Sequence, residues 1–237
     1  MHYVSEVESP NQRVRYIPYE RVPWSLATVL EDYGNYQDLW NEVQECVHAH
    51  LDLPKPNDHK ILTAWIFSTY LLERWETVPF LQFIGAFETG KSHALELLAQ
   101  LCFRGWLGVG LTEANLYRPV EKWHPVLFID ESESAIDRAT LIALLNSSYR
   151  RGYYVPRQEK QPDGSFETVF YDLFGFKAIA GTKDLPQTTK SRCITFKMTK
   201  ATRKVKIRID KRWCQHLRNK LLMWRFKTLL GESEHYG

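Results

Sequence analysis

Between residues 36 and 51 the apolar positions Tyr36, Leu39, Trp40, Val43, Val47 and Leu51 fall on one face at a spacing of three to four. That period predicts an amphipathic helix. The stretch Pro54-Lys55-Pro56-Asn57-Asp58 breaks it and offers Asn57 or Asp58 as the next N-cap. Residues 61–75 then read as a strongly apolar helix. Ahead of these, residues 1–35 are rich in Pro, Tyr and charge with weak periodicity, the pattern of an irregular arm. Past residue 75 the pattern changes to short apolar runs, with strands expected at 80–84, 105–109, 126–129, 178–180 and 194–198. Helical periods lie between most of them, as at 93–101 and 140–148. This alternation predicts an α/β fold, a mostly parallel sheet flanked by helices. One insertion interrupts it: Pro162-Asp163-Gly164 is a turn signal between 153–155 and 168–171, which predicts a β-hairpin before the strand at 178–180.

The most informative chemistry follows the first of those strands. Residues 85–92 read GAFETGKS, a phosphate-binding loop of the pattern G-x-x-x-x-G-K-[ST] set between a strand and a helix. Gly85 and Gly90 let the backbone turn tightly, so that N–H groups across Ala86, Phe87, Glu88 and Thr89 point at phosphate oxygens. Lys91 adds a point charge for the β- and γ-phosphates, and Ser92 offers its hydroxyl to Mg²⁺. The helix that starts there adds its free N–H groups. His93 falls beside the base as a helix residue. ATP and Mg²⁺ are therefore the expected cofactors.

The run Val126-Leu127-Phe128-Ile129 ends in Asp130-Glu131, which brings two carboxylates to the end of a buried strand. Asp130 is placed to hold Mg²⁺ and Glu131 to orient or deprotonate an attacking water. Ligands of parallel sheets sit at the carboxyl ends of strands, where both Gly85 and Asp130 are expected. At the end of 178–180, Thr182 is placed to hydrogen-bond the water or the γ-phosphate, the role called sensor 1. Arg192, just before the last strand, stands where ring-forming ATPases carry a finger that reaches a neighbour's nucleotide. Asn146 is either a polar helix end near the nucleotide or a C-cap.

Composition narrows the setting. The chain has 237 residues, 44% of them hydrophobic, enough for one sizeable core. It has no run of 18 apolar residues and no signal-like start, so neither a membrane span nor export is expected. Four scattered cysteines without a C-x-x-C pair read as reduced core thiols in a cytoplasmic setting rather than metal ligands. Net charge is only +3, but twelve Lys/Arg and one acid, Asp210, lie between Lys197 and Lys227. Such a block fits nucleic acid or another polyanion, or a solvated helix face.

From about residue 39 to 224 the chain resembles the AAA+ ATPase domain of primase–helicase proteins of phages, plasmids and other mobile elements, relatives of the superfamily 3 helicases. The resemblance runs through Thr63-Ala64-Trp65-Ile66, GAFETGKS, LTEANLYR, VLFIDE, LLNSSYRRGYYVPR and FGFKAIAGTKDLPQTTKSR to the closing basic helix. It implies an ATP-dependent motor, a hexamer acting on DNA, with roles for Lys91, Ser92, Asp130, Glu131 and Arg192 that agree with the residue reading. It also implies that the hairpin faces a central pore, where Arg157, Lys160, Arg150 and Arg151 would meet the phosphates of single-stranded DNA. Three departures stand out. Sensor 1 is commonly Asn in that family, where this chain has Gly181-Thr182. No primase motif is present, and the helical lid is short, with Arg218 as a sensor-2 candidate.

The expected organisation is thus an arm and helical segment over 1–75, an AAA+ P-loop core over 76–200 and a basic helical segment, a partial lid, over 201–237. The rival to a DNA motor is a nucleotide-switch ATPase, a loader or initiation factor that remodels a protein partner. A small-molecule kinase is disfavoured by the paired acids, the late Arg192 and the lack of an obvious substrate lid.

Overall fold

The computed structural model describes residues 7–8, 15–16, 22–131 and 136–231. Most of the arm expected before residue 22 therefore lies outside the described residues. Within it, Val7–Glu8 (β1) pairs antiparallel with Arg15–Tyr16 (β2). The first helix, Tyr36–His50 (α1), starts where Asn35 accepts the Asp38 N–H at 2.9 Å. It buries Leu39, Val43, Cys46 and Val47.

The second helix, Asp58–Thr69 (α2), is displaced from the expected 61–75 at both ends. Its start moves back because the Asp58 carboxylate accepts the Lys55 N–H at 3.0 Å and closes the turn there. Its end comes earlier, at Thr69, where the hydroxyls of Ser68 and Thr69 donate back to the carbonyls of Ala64 and Ile66, at 2.8 and 2.6 Å. Such back-bonding competes with the helical ladder. The chain then tightens into a 3₁₀ turn at Leu72–Arg74.

The remaining elements alternate. They are Phe80–Ile84 (β3), Lys91–Leu101 (α3), Gly105–Leu107 (β4), Glu113–Trp123 (α4), Val126–Asp130 (β5) and Arg138–Ser148 (α5). After them come Tyr154–Lys160 (β6), Phe166–Asp172 (β7), Lys177–Gly181 (β8), Gln187–Lys190 (α6), Cys193–Lys197 (β9) and Lys211–Leu230 (α7). Five strands form one parallel sheet in the order β4-β5-β8-β3-β9. With helices flanking that sheet, a loop of phosphate-binding type after β3 and a hairpin inserted before β8, this is a P-loop NTPase-like α/β fold. The three middle strands are buried along nearly their whole length. That is why they read as mainly apolar runs, interrupted by Gln82 in β3 and by Lys177 at the start of β8, rather than alternating ones. The strand expected at 105–109 stops at Leu107 and leaves Val109 exposed.

The hairpin β6–β7 stands apart as its own two-stranded sheet. Gly164 at φ +87° supplies the left-handed residue of its turn, and Gln161 N–H closes the loop onto the Ser165 carbonyl at 2.8 Å. Helix α7 begins at Asp210, whose carboxylate accepts the N–H groups of Arg212 and Trp213. It buries Cys214, Leu217, Leu221 and Trp224 in the same core as α1 and α3. Among the described residues no helix is long and apolar enough to cross a membrane.

Candidate active site

The loop between β3 and α3 is shaped by what its glycines permit. A Cβ at Gly85 would lie 2.3 Å from the Met198 carbonyl oxygen, so only glycine lets β3 continue into the loop beside β9. Gly90 has φ +82°, and Glu88 takes a left-handed φ of +60°, a conformation that costs a non-glycine residue about 1 kcal/mol. These reversals fold the loop back over the start of α3. The Lys91 ammonium is buried and donates to the loop's own Ala86 carbonyl at 2.5 Å. No side chain caps α3 among the described residues. The N–H groups of Lys91, Ser92 and His93 thus have no partner within the helix and carry the positive end of its dipole. This donor set fits a polyphosphate.

The two carboxylates arrive from β5. Asp130 is buried, and its Oδ2 accepts the Ser92 hydroxyl at 2.5 Å. One hydroxyl and one carboxylate is the small, hard oxygen set that Mg²⁺ takes when phosphates and waters complete its shell. Glu131, the next residue, is half-buried, and its N–H donates to the Ala180 carbonyl at 2.9 Å. Burial pushes the Glu131 carboxyl above the usual range, and Asp130 adds to this. Arg138, 2.8 Å from Oε1, and Lys183 oppose the shift but do not cancel it. A carboxylate moved toward neutral pH is suited to accepting a proton.

Sheet order decides how these parts meet. Because β8 lies between β3 and β5, its end opens between the phosphate loop and the acids. Gly181 accepts the Gly85 N–H on its carbonyl at 3.3 Å. A Cβ on Gly181 would fall 1.9 Å from Glu131 Oε2, so its lack of a side chain makes room for the glutamate. The result is one open cleft of about 570 Å³. It is lined by the loop from Phe87 to His93 together with Asp130, Glu131, Arg138, Gly181 and Thr182. That volume is within the usual range for a small-molecule site. Phe87 is 75% exposed at its mouth. His93 lines the cleft near His50, with ring centroids 6.3 Å apart, and burial lowers its pKa. Arg138 was not legible as a site residue, since it sits in no motif, and Lys183 had no role assigned although it follows Thr182 in a motif stretch.

Other expected site residues lie elsewhere. Arg192 precedes β9, whose first residue pairs with Phe80 at the start of β3, so it stands at the opposite end of the sheet from Gly85. There its guanidinium donates to Asn146 Oδ1 and stacks 4.2 Å from the Tyr149 ring centroid. Asn146 is thus an anchor for Arg192 and not a lining residue of the cleft. Arg218 is buried in α7 and donates to the Gln100 carbonyl at 2.5 Å, at the last turn of α3, outside the cleft lining.

The four cations assigned to DNA are not on one surface. Along β6, Arg157 and Lys160 alternate onto opposite faces. Arg157 faces α4, stacking on Tyr117 at 4.5 Å and donating to its hydroxyl. Lys160 lies on the outward face, where Tyr154, Phe166 and Phe170 are more than half exposed. Arg151 donates to the Leu72 and Trp75 carbonyls, and Arg150 lies over the Tyr153 ring. Part of the basic block is also engaged within the chain. Arg203 pairs with Asp52, Lys220 with Glu42, Arg225 with Glu73 and Lys227 with Asp32.

No known family model and no curated protein matches this chain. Solved structures align with it at low similarity, among them the following two. The A-form apo structure of the NrS-1 C-terminal region gives a TM-score of 0.40 at 13% identity, over 94% of this chain and 51% of that one. JCV helicase bound to a thiazolopyridine acetamide gives 0.40 at 13% identity, over 86% of this chain and 63% of that one. This chain spans between half and two-thirds of the length of those two.

Proposed function

We propose that the protein is an ATP-hydrolysing motor of the AAA+ helicase type that works on DNA as a ring of identical chains. The observation that carries this reading is the contact of Ser92 with Asp130 at 2.5 Å, with Lys91 and Glu131 opening onto the same cleft. Lys91 and the N–H groups at the start of α3 hold the phosphates of ATP. Ser92 and Asp130 hold Mg²⁺, which when bound neutralises charge on the transferred phosphoryl group. Glu131 takes the proton from a water in the cleft, and Thr182 orients that water or the terminal phosphate.

Arg192 supports the ring. The five residues of β9 separate it by about 16 Å from the end of the sheet where its own phosphates would sit. An arginine so placed serves a neighbour's nucleotide or none. The DNA end of the motor is the outward face of the hairpin, where Lys160 stands among Tyr154, Phe166 and Phe170. A cation among exposed rings suits stacked single-stranded bases and their phosphates. Arg157 then positions the hairpin instead of touching DNA.

The test is ATP turnover with and without single-stranded DNA at two salt concentrations. Hydrolysis should rise with DNA, fall at high salt, and drop by at least 100-fold in Lys91→Ala and Glu131→Gln. Replacing Lys160, Phe166 and Phe170 by Ala should remove the DNA stimulation. Hydrolysis that ignores DNA would favour the switch ATPase that remodels a protein partner.

A further inference from the structure

Arg138 is the first residue of α5, held there by Asp137, whose carboxylate accepts the N–H groups of Ala139 and Thr140 at 2.9 and 3.0 Å. Its guanidinium has two prongs. Nη1 donates to Glu131 Oε1 at 2.8 Å, and Nη2 donates to the Asp184 carbonyl in the loop after β8. That loop is braced in turn, because the Asp184 carboxylate accepts Gln82 Nε2 at 3.2 Å and pairs with Lys190 of α6. Among the described residues, Arg138 is the side chain that donates a hydrogen bond to Glu131. The other carboxylate oxygen of Glu131 lies against Gly181, where a Cβ would displace it. The carboxylate is therefore held between the Arg138 guanidinium on one oxygen and the bare Gly181 backbone at the other.

We infer that Arg138 is the positioning residue for Glu131, clamping the carboxylate to the loop after β8 so that it faces the phosphates. This rests on the hydrolytic reading of Glu131 above. Arg138 reaches the reaction through another side chain, so its removal costs turnover and spares nucleotide affinity. A small misdirection of a general base is enough to cost up to about 100-fold in rate.

The experiment compares wild type, Arg138→Gln, Arg138→Lys, Glu131→Gln and the double variant Glu131→Gln/Arg138→Gln in steady-state hydrolysis. It adds calorimetric binding of a non-hydrolysable ATP analogue, and hydrogen exchange across residues 183–185 of the nucleotide-free protein. Arg138→Gln should lower kcat by about 10- to 100-fold with KM and analogue affinity within about threefold. Arg138→Lys should recover part of the loss. The double variant should be no slower than Glu131→Gln alone, because the two act as one unit. Exchange across 183–185 should quicken in Arg138→Gln. A tenfold or larger loss of analogue affinity would make Arg138 a phosphate ligand and overturn the inference, as would losses that multiply in the double variant, or unchanged exchange. A wild-type chain that hydrolyses no ATP would overturn the hydrolytic reading itself, and the inference with it.

Discussion

Gly181 and Glu131 compete for one space, and this makes a sharp test at the level of a single atom. Gly181→Ala places a methyl 1.9 Å from Glu131 Oε2 and forces the carboxylate away. Turnover should fall at least tenfold while nucleotide binding holds, read by kcat and by calorimetry. Lys177 offers a second test, independent of the cleft. It is fully buried, with Nζ donating to the Leu173 and Gly175 carbonyls at 2.8 and 3.1 Å, and burial lowers its pKa from 10.5 to about 7. A lysine whose folded pKa lies below its unfolded value takes up a proton on unfolding. Its penalty is therefore full below about pH 7 and fades as pH rises toward 10.5. Relative to Lys177→Met, the wild type should gain about 2 kcal/mol between pH 7 and pH 9 in denaturant melts. Parallel curves for the two proteins would mean that the site is wet.

Elements differ in how far their own residues specify them. All five sheet strands were predictable because each is a short, mainly apolar run, and β3 and β8 differ from expectation by at most one residue at an end. The end of α2 was not, because the apolar pattern runs on to Trp75 while the Thr69 hydroxyl bonds the Ile66 carbonyl at the helix end. The basic block from Lys197 to Lys227, which includes most of α7, read either as a polyanion site or as a solvated helix face. In the fold its cations Lys220, Arg225 and Lys227 reach acids on α1, the turn at Leu72–Arg74 and the segment before α1. The apolar side of α7 is structural: Leu217→Ala should cost about 3 kcal/mol in urea unfolding. Beside the Arg157–Tyr117 contact, the hairpin is tied to α4 through Glu159, which accepts from Arg118 at 3.2 Å and, within the hairpin, from the Tyr171 hydroxyl. Glu159→Gln should loosen it, seen as faster hydrogen exchange across β6 and β7 with the sheet strands unchanged.

At the scale of the whole molecule, the sheet places Arg192 and the phosphate loop at opposite ends. If neighbouring chains complete one another's sites, Lys91→Ala and Arg192→Ala chains, each inactive alone, should regain hydrolysis when mixed. Up to about a quarter of the sites would then pair an intact loop with an intact arginine in random rings. Mixtures as dead as their components would confine Arg192 to its bond with Asn146.

Read by itself, the chain specifies the α/β class, the phosphate loop and the Asp130-Glu131 pair. Each of these is a local pattern whose chemistry depends on neighbours in sequence: a tight turn, a buried run, a helix start. What the tertiary structure alone decided is which ends of strands meet. The insertion of β8 between β3 and β5 brings Gly181 against Glu131 and lets Arg138 reach the Asp184 carbonyl, 46 residues further along the chain. Pleating likewise split Arg157 from Lys160, two residues that a linear reading groups together. Strand order and side-chain direction are set by long-range packing, and no local period encodes them.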